Sequence, residues 1–205
     1  MGFLSVLSQA QKWIAERAGS GDVVIDATAG NGVDALALAK LVGPKGTLYA
    51  FDIQQAALQR TKERLRDHEA EGMLPDVYYF QQSHSQMIEA ITSVHPEHVG
   101  AAAAVMFNLG YLPGGVDQTV VTETASTITA LDAALAILRP RGIITCVLYP
   151  GHPGGADEAD AVRQWACSLS QAKAQSVIYR QLQRSDSPYL IAIEKKQEKT
   201  PRVLD

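Results

Sequence analysis

Short β-branched or aromatic runs alternate with stretches whose apolar residues return every three or four positions, and from residue 23 the alternation repeats five times. Residues 23–30 (VVIDATAG), 47–53 (TLYAFDI), 77–82, 101–108 and 143–149 predict strands; residues 31–41, 54–70, 86–94, 122–138 and 158–169 predict the helices that follow them. A loosely amphipathic opening helix over 2–18 carries Phe3, Leu4, Leu7, Trp13 and Ile14, and Gly19, Ser20 and Gly21 end it. The 122–138 helix places Ile128, Leu131, Leu135 and Leu138 on one side, and 139–142 reads as a turn. Two last strands, 176–181 and 189–194, are separated by a polar stretch containing Pro188, so they are expected to pair antiparallel. Strands alternating with helices predict an α/β fold: a doubly wound, mostly parallel sheet covered on both faces, with right-handed crossovers. Residues 1–205 read as one domain with a frayed tail over about 197–205.

Composition narrows the class. Hydrophobic residues make up 46% and charged residues 20% of the 205, which excludes disorder as the main state. With 18 Lys and Arg against 22 Asp and Glu, the net charge of −4 excludes a uniformly basic nucleic-acid coat but allows a local patch. Arg60, Lys62, Arg64 and Arg66 are the candidates for such a patch, although a charge run on a helix is usually only its solvated face. Cys146 and Cys167 have no metal-type spacing and suit a reducing cytosol, so no metal site is expected. No apolar run approaches the ~20 residues that cross a bilayer, and the start lacks the basic segment of a signal peptide. A cytoplasmic location without membrane contact is the expectation.

A doubly wound sheet binds its ligand beyond the carboxyl ends of its strands. The first strand ends in Asp26-Ala27-Thr28-Ala29-Gly30-Asn31-Gly32, and Asp34 falls in the first turn of the next helix. The second strand ends at Asp52, followed by Ile53 and Gln54; Asp52 lies 20 residues beyond Gly32, where an acid can accept from both ribose hydroxyls. Carboxylates around the hinge are poor neighbours for the pyrophosphate of a dinucleotide and good ones for a cationic ligand such as S-adenosylmethionine. The plainer alternative is that Asp26 caps a turn and Asp52 a helix. Ser83 and His84, after the third strand, are candidates to border the adenine, and Ser83 equally reads as a helix N-cap. The fourth strand ends in Asn108-Leu109-Gly110-Tyr111, where an amide oxygen can accept from an amine and a ring can stack on a base. His152, after the fifth strand, is a candidate proton acceptor or a residue that fixes its loop, and Glu158 can hold that loop. His68, His95 and His98 sit in polar segments and carry no functional signal.

The segments DATAGNGVDALALA, LYAFDIQQAAL, FNLGYLPGG and YPGHPGGADE resemble the small class I methyltransferases of the rRNA methylase family, which includes bacterial tRNA 5-aminomethyl-2-thiouridine methyltransferases. The resemblance spans about residues 21–195. It implies a Rossmann-like, seven-stranded fold, S-adenosylmethionine as donor, and N-methylation of the aminomethyl group on a tRNA wobble uridine. It implies donor contacts at Asp26, Gly30, Asn31, Gly32, Asp34, Asp52 and Gln54, to which position in the fold adds Thr28, Ile53, Ser83, His84 and Asn108. It implies substrate-side roles for Asn108 to Tyr111 and for His152. Ala29 stands where many relatives have Met, and Ala35 where they have Thr or Ser, so a hydroxyl contact to the methionine carboxylate is missing. An acceptor in rRNA or a small amine is the alternative; a nucleotide-binding module without catalysis and an NAD-dependent oxidoreductase are the rivals from other classes. A second copy of the chain is a further candidate partner.

Overall fold

The computed structural model describes residues 2–69, 72–110, 124–151, 154–184 and 186–197. In chain order these form α1 (Val6–Ala15), β1 (Val23–Asp26), α2 (Val33–Val42), β2 (Thr47–Phe51), α3 (Gln55–Glu69), β3 (Asp76–Phe80), α4 (Met87–Val94), β4 (Ala102–Asn108), α5 (Thr124–Ile137), β5 (Leu138–Leu148), α6 (Gly155–Ser168), β6 (Ala174–Tyr179) and β7 (Tyr189–Lys195). They build one seven-stranded sheet in the order β3-β2-β1-β4-β5-β7-β6. The first five strands pair parallel. β7 runs antiparallel between β5 and β6.

The period-2 alternation of the strands splits the core in two. Ile25, Tyr49, Phe51, Val105 and Phe107 point into one layer, under α4, α5 and α6. Val24, Leu48, Ala104 and Met106 point into the other, under α1 and α2, with Ile14, Ala35 and Leu38. The alanine run 102–104 is fully buried, which lets the covering helices approach β4 closely. The strand order reverses between β1 and β4, so the expected ligand crevice lies beyond Asp26 and Asn108.

Two boundaries differ from the sequence reading. β1 stops at Asp26 rather than Gly30, because the Asp26 carboxylate accepts the Thr28 N–H at 3.1 Å and turns the chain out of the sheet. Residues 139–142 are not an inter-element turn but a bulge inside β5: Leu138 pairs with Ala102 and Ile143 with Ala104, so four residues face the single Ala103. Arg141 takes up the excess in a left-handed conformation at φ 66°. The bulge is anchored by Arg139, whose guanidinium donates to both carboxylate oxygens of Asp22 at 2.6 and 2.9 Å and to the Arg17 carbonyl at 3.0 Å.

His95 and His98, in the turn after α4, also have partners the sequence reading did not supply. The Tyr49 hydroxyl lies 2.7 Å from His98 Nδ1, and the Tyr78 hydroxyl 2.9 Å from His95 Nε2. They give the two tyrosine hydroxyls polar partners at this edge of the apolar layer. No helix among the described residues is long and apolar enough to cross a membrane.

Arg139 ties the α1–β1 turn to the bulge. Arg139→Ala is expected to lower the unfolding free energy by about 1–2 kcal/mol, a charge-assisted fork discounted for partial exposure. Urea titration of both proteins measures it; an unchanged midpoint would mean the fork contributes nothing.

Candidate active site

The hinge after β1 is held from three sides. Asp52, at the end of β2, accepts the Gly30 N–H on Oδ2 at 3.0 Å and the Gln54 N–H on Oδ1 at 2.8 Å. Thr28 reaches the other way and accepts the backbone N–H of Asn108 at 2.8 Å, joining the ends of β1 and β4. From α3, Arg60 donates to Asn31 Oδ1 at 3.1 Å and Arg64 to the Asn31 carbonyl at 2.7 Å. The helix read as a solvated charge run therefore clamps the hinge. Gly32 is needed for the same reason: its φ is +74°, and a Cβ there would stand 2.8 Å from the Thr61 Cα of α3.

Beyond the hinge, Asp34 sits in the first turn of α2. Its Oδ1 accepts from Gln11 Nε2 of α1 at 2.9 Å, and its Oδ2 from Asn108 Nδ2 at 3.4 Å. Gln11 carried no signal in the sequence, because an amide on an amphipathic helix reads as surface. Ser83 caps a short 3-10 turn, its hydroxyl accepting from the Ser85 N–H. His84 is buried against the Phe107 ring, with Nδ1 3.2 Å from the Ala27 carbonyl. Ile53 is half-exposed beside Asp52. Glu158 is buried at the start of α6 and accepts from the Thr127 hydroxyl at 2.7 Å, fastening α6 to α5. Tyr111 and His152 lie outside the described residues.

The structure thus gathers Asp26, Thr28, Gly30, Asn31, Gly32, Asp34, Asp52, Gln54 and Asn108 around one strand-end crevice. Asp26 and Asp52 make the plain turn and cap bonds of the alternative reading, Asp26 accepting from Thr28 and Asp52 from Gln54.

The electrostatics are those of a site short of positive charge. Asp26 is 1% exposed, and its Oδ2 has no partner among the described residues. Burial first and the charge of Asp34 second push its carboxyl well above the ordinary carboxylate range; the Thr28 and Ala35 N–H groups oppose, and Asp52 adds to the rise. Burial likewise raises Asp34, against hydrogen bonds from Gln11 and Asn108, and raises Asp52, against the N–H groups of Gln54, Gly30 and Ile53. Burial lowers His84, against its bond to Ala27, which keeps the imidazole neutral near pH 7. A buried carboxylate oxygen with a vacant lone pair fits a cationic group; it repels a pyrophosphate.

The sequence profile of the family described as Putative rRNA methylase matches residues 48–194. The chain belongs to this family. It is 38% identical over 182 residues to the Arabidopsis thaliana protein "tRNA (mnm(5)s(2)U34)-methyltransferase, chloroplastic", covering 86% of this chain and 64% of that one. The chain therefore spans less than two thirds of that relative's length. A Clostridium thermocellum protein described as a putative rRNA-methylase superposes with a TM-score of 0.86 at 34% identity, over 95% of this chain and 100% of the other. SMU.1697c, a putative methyltransferase from Streptococcus mutans solved in complex with SAH, gives 0.80 at 29% identity, over 95% and 99%. The seven-stranded sheet with its antiparallel end and the crevice beyond β1 and β4 are thus described on a rRNA methylase family member. The family profile begins at residue 48, so the hinge and Gln11 lie outside the matched span.

Asp26 has a testable energetic signature. Its folded-state pKa is raised above that of the unfolded chain, so its stability contribution is present below the unfolded value and lost as pH rises through the folded one. Asp26→Asn removes the penalty and is expected to be more stable than the natural chain by about 1–2 kcal/mol at neutral pH, the gap closing as pH falls into the ordinary carboxylate range. Unfolding at a series of pH values checks it; a destabilised variant at neutral pH would refute the buried-ion account.

Proposed function

We propose that this chain transfers a methyl group from S-adenosylmethionine to the exocyclic aminomethyl nitrogen of 5-aminomethyl-2-thiouridine at the wobble position of tRNA. The observation that carries the donor is the buried Asp26 carboxylate with an unpartnered oxygen. Membership of a methylase family and the SAH-bound neighbour support it. The Arabidopsis relative's name supports the tRNA acceptor.

S-adenosylmethionine, when bound, supplies an electrophilic methyl on a sulfonium. Asp26 and Asp34 face its positive charges, and Asp52 keeps lone pairs for the ribose hydroxyls beside Gln54 and Ile53. Thr28, Gly30, Asn31 and Gly32 shape the hinge, and Ser83 and His84 border the base. Asn108 serves both partners: its backbone is fixed by Thr28, and its Oδ1 accepts an N–H of the incoming amine and aims the lone pair at the methyl. The amine must be neutral to react, and a site that excludes water beside a sulfonium favours that form. With the donor bound, transfer of the methyl to nitrogen would leave the bonding pair on sulfur, and the extra proton would leave to His152 or water. Tyr111 stacks on the acceptor base. Positioning supplies most of the acceleration.

The test is nucleoside mass spectrometry on tRNA that carries the unmethylated aminomethyl nucleoside, incubated with the chain and S-adenosylmethionine. The expected product is that nucleoside one methyl group heavier. Methylation of rRNA alone would move the acceptor to the one the family description names. Asp52→Ala is expected to weaken SAH binding, whereas Asn108→Ala keeps it and slows transfer by about 10²-fold. Unchanged turnover in Asn108→Ala would remove the assignment of that strand end.

A further inference from the structure

We infer that Gln11, on the helix before the sheet, is a positioning residue for the methyl acceptor, acting through Asp34 to fix which way the Asn108 carboxamide faces. The inference rests on the reading of Asn108 given above, and it concerns a residue that neither the family profile nor the hinge motif reaches.

The physical problem is that a carboxamide can turn over, exchanging its oxygen and its NH2 at little cost. Only one orientation presents an acceptor to an amine N–H; the other presents a donor to a donor. The Asn108 backbone is already fixed, because its N–H is bonded to Thr28 Oγ1 at 2.8 Å. The side chain alone remains to be oriented. A carboxylate accepts and never donates, so Asp34 Oδ2, 3.4 Å from Asn108 Nδ2, selects the orientation with NH2 toward α2. Oδ1 then faces the opposite side.

That bond is long, and Asp34 can swing about its own side-chain torsion. Gln11 removes the freedom by donating Nε2 to Asp34 Oδ1 at 2.9 Å. The two amide donors also oppose the rise that burial imposes on Asp34. Gln11 can do this because α1 is itself immobilised. Ala10 and Ile14 on either side of it are fully buried, in the layer that holds Ala35 and Leu38 of α2. Trp13 meets the Tyr179 ring edge-on, and the Tyr179 hydroxyl donates to the Leu4 carbonyl at 2.8 Å. Arg17 donates to Glu194 at 2.8 Å. The chain of amide, carboxylate and amide therefore runs from a fixed helix to the reacting side of the crevice.

Two substitutions separate this role from a structural one. Gln11→Leu removes the donor at similar volume. It is expected to lower kcat by about three- to tenfold, the loss of one hydrogen bond, with a smaller loss of SAH affinity because Asp34 also faces the donor in the reading above. Gln11→Glu sets a second carboxylate against Asp34 at neutral pH and becomes an O–H donor when protonated. Its kcat relative to the natural chain is expected to recover as pH falls, while the ratio for Gln11→Leu stays flat. A third readout does not need activity: the side-chain amide signals of Asn108 in a ¹⁵N-labelled protein, identified by their absence in Asn108→Ala, should shift and lose exchange protection in Gln11→Leu. Unmoved Asn108 signals, a kcat within twofold of the natural chain, or a loss of SAH affinity that matches the loss of rate would each overturn the inference. Failure of the functional reading looks different: Asn108→Ala would turn over normally while the Asn108 signals still respond to Gln11→Leu.

Discussion

Asp26 closes β1, an inner strand of the sheet, with β2 on one side, β4 on the other and a helical layer over each face. Water is excluded there, and the two nearest formal charges, on Asp34 and Asp52, have its own sign. The three acids there are held by backbone N–H groups and by two side-chain amides. Thr28 donates to Asp26, Gly30 and Gln54 donate to Asp52, and Gln11 and Asn108 donate to Asp34. One lone pair set is left over, on Asp26 Oδ2. The folded protein thus holds an unfavourable charge arrangement at the end of β1.

The same constraint explains the architecture around the hinge. Three carboxylates on successive strand ends and a helix start would drift apart unless something held the loop between them. Thr28 ties it to β4, and Arg60 and Arg64 hold Asn31 from α3. These two arginines do not pair with the acids; they reach the outer side of the hinge and leave its inner side negative. Gly32 lets α3 come close enough for that grip.

How far the chain could be read in advance depended on the range of each interaction. Asp26 and Asp52 were legible because VVID and TLYAFD are β-branched or aromatic runs ending in an acid, a pattern local in sequence. The parallel sheet and its antiparallel end followed from the same runs. Gln11 was not legible, since its partner Asp34 lies 23 residues away and only packing of α1 on α2 brings them together. His95 and His98 looked idle because Tyr49 and Tyr78 meet them across the sheet edge. Residues 139–142 show a different limit. Their Pro-Arg-Gly composition correctly marks a departure from regular strand, but a bulge and a turn share that chemistry, and pairing of Leu138 with Ala102 decides between them.

The order β5-β7-β6 carries a consequence for synthesis. β6 is synthesised before its neighbour in the sheet, β7, whereas β1 to β5 have their mutual partners by then. Translation at about 5–20 residues per second leaves the nascent chain for a second or more with β6 unpaired and one flank of β5 bare. Val177 and Ile178 of β6 stay solvent-facing even in the finished protein, so in that interval the segment is a sticky ribbon with no place to dock. Assembly of the strand ends at Asp26 and Asn108 from the first half of the chain can therefore run ahead of closure of the sheet.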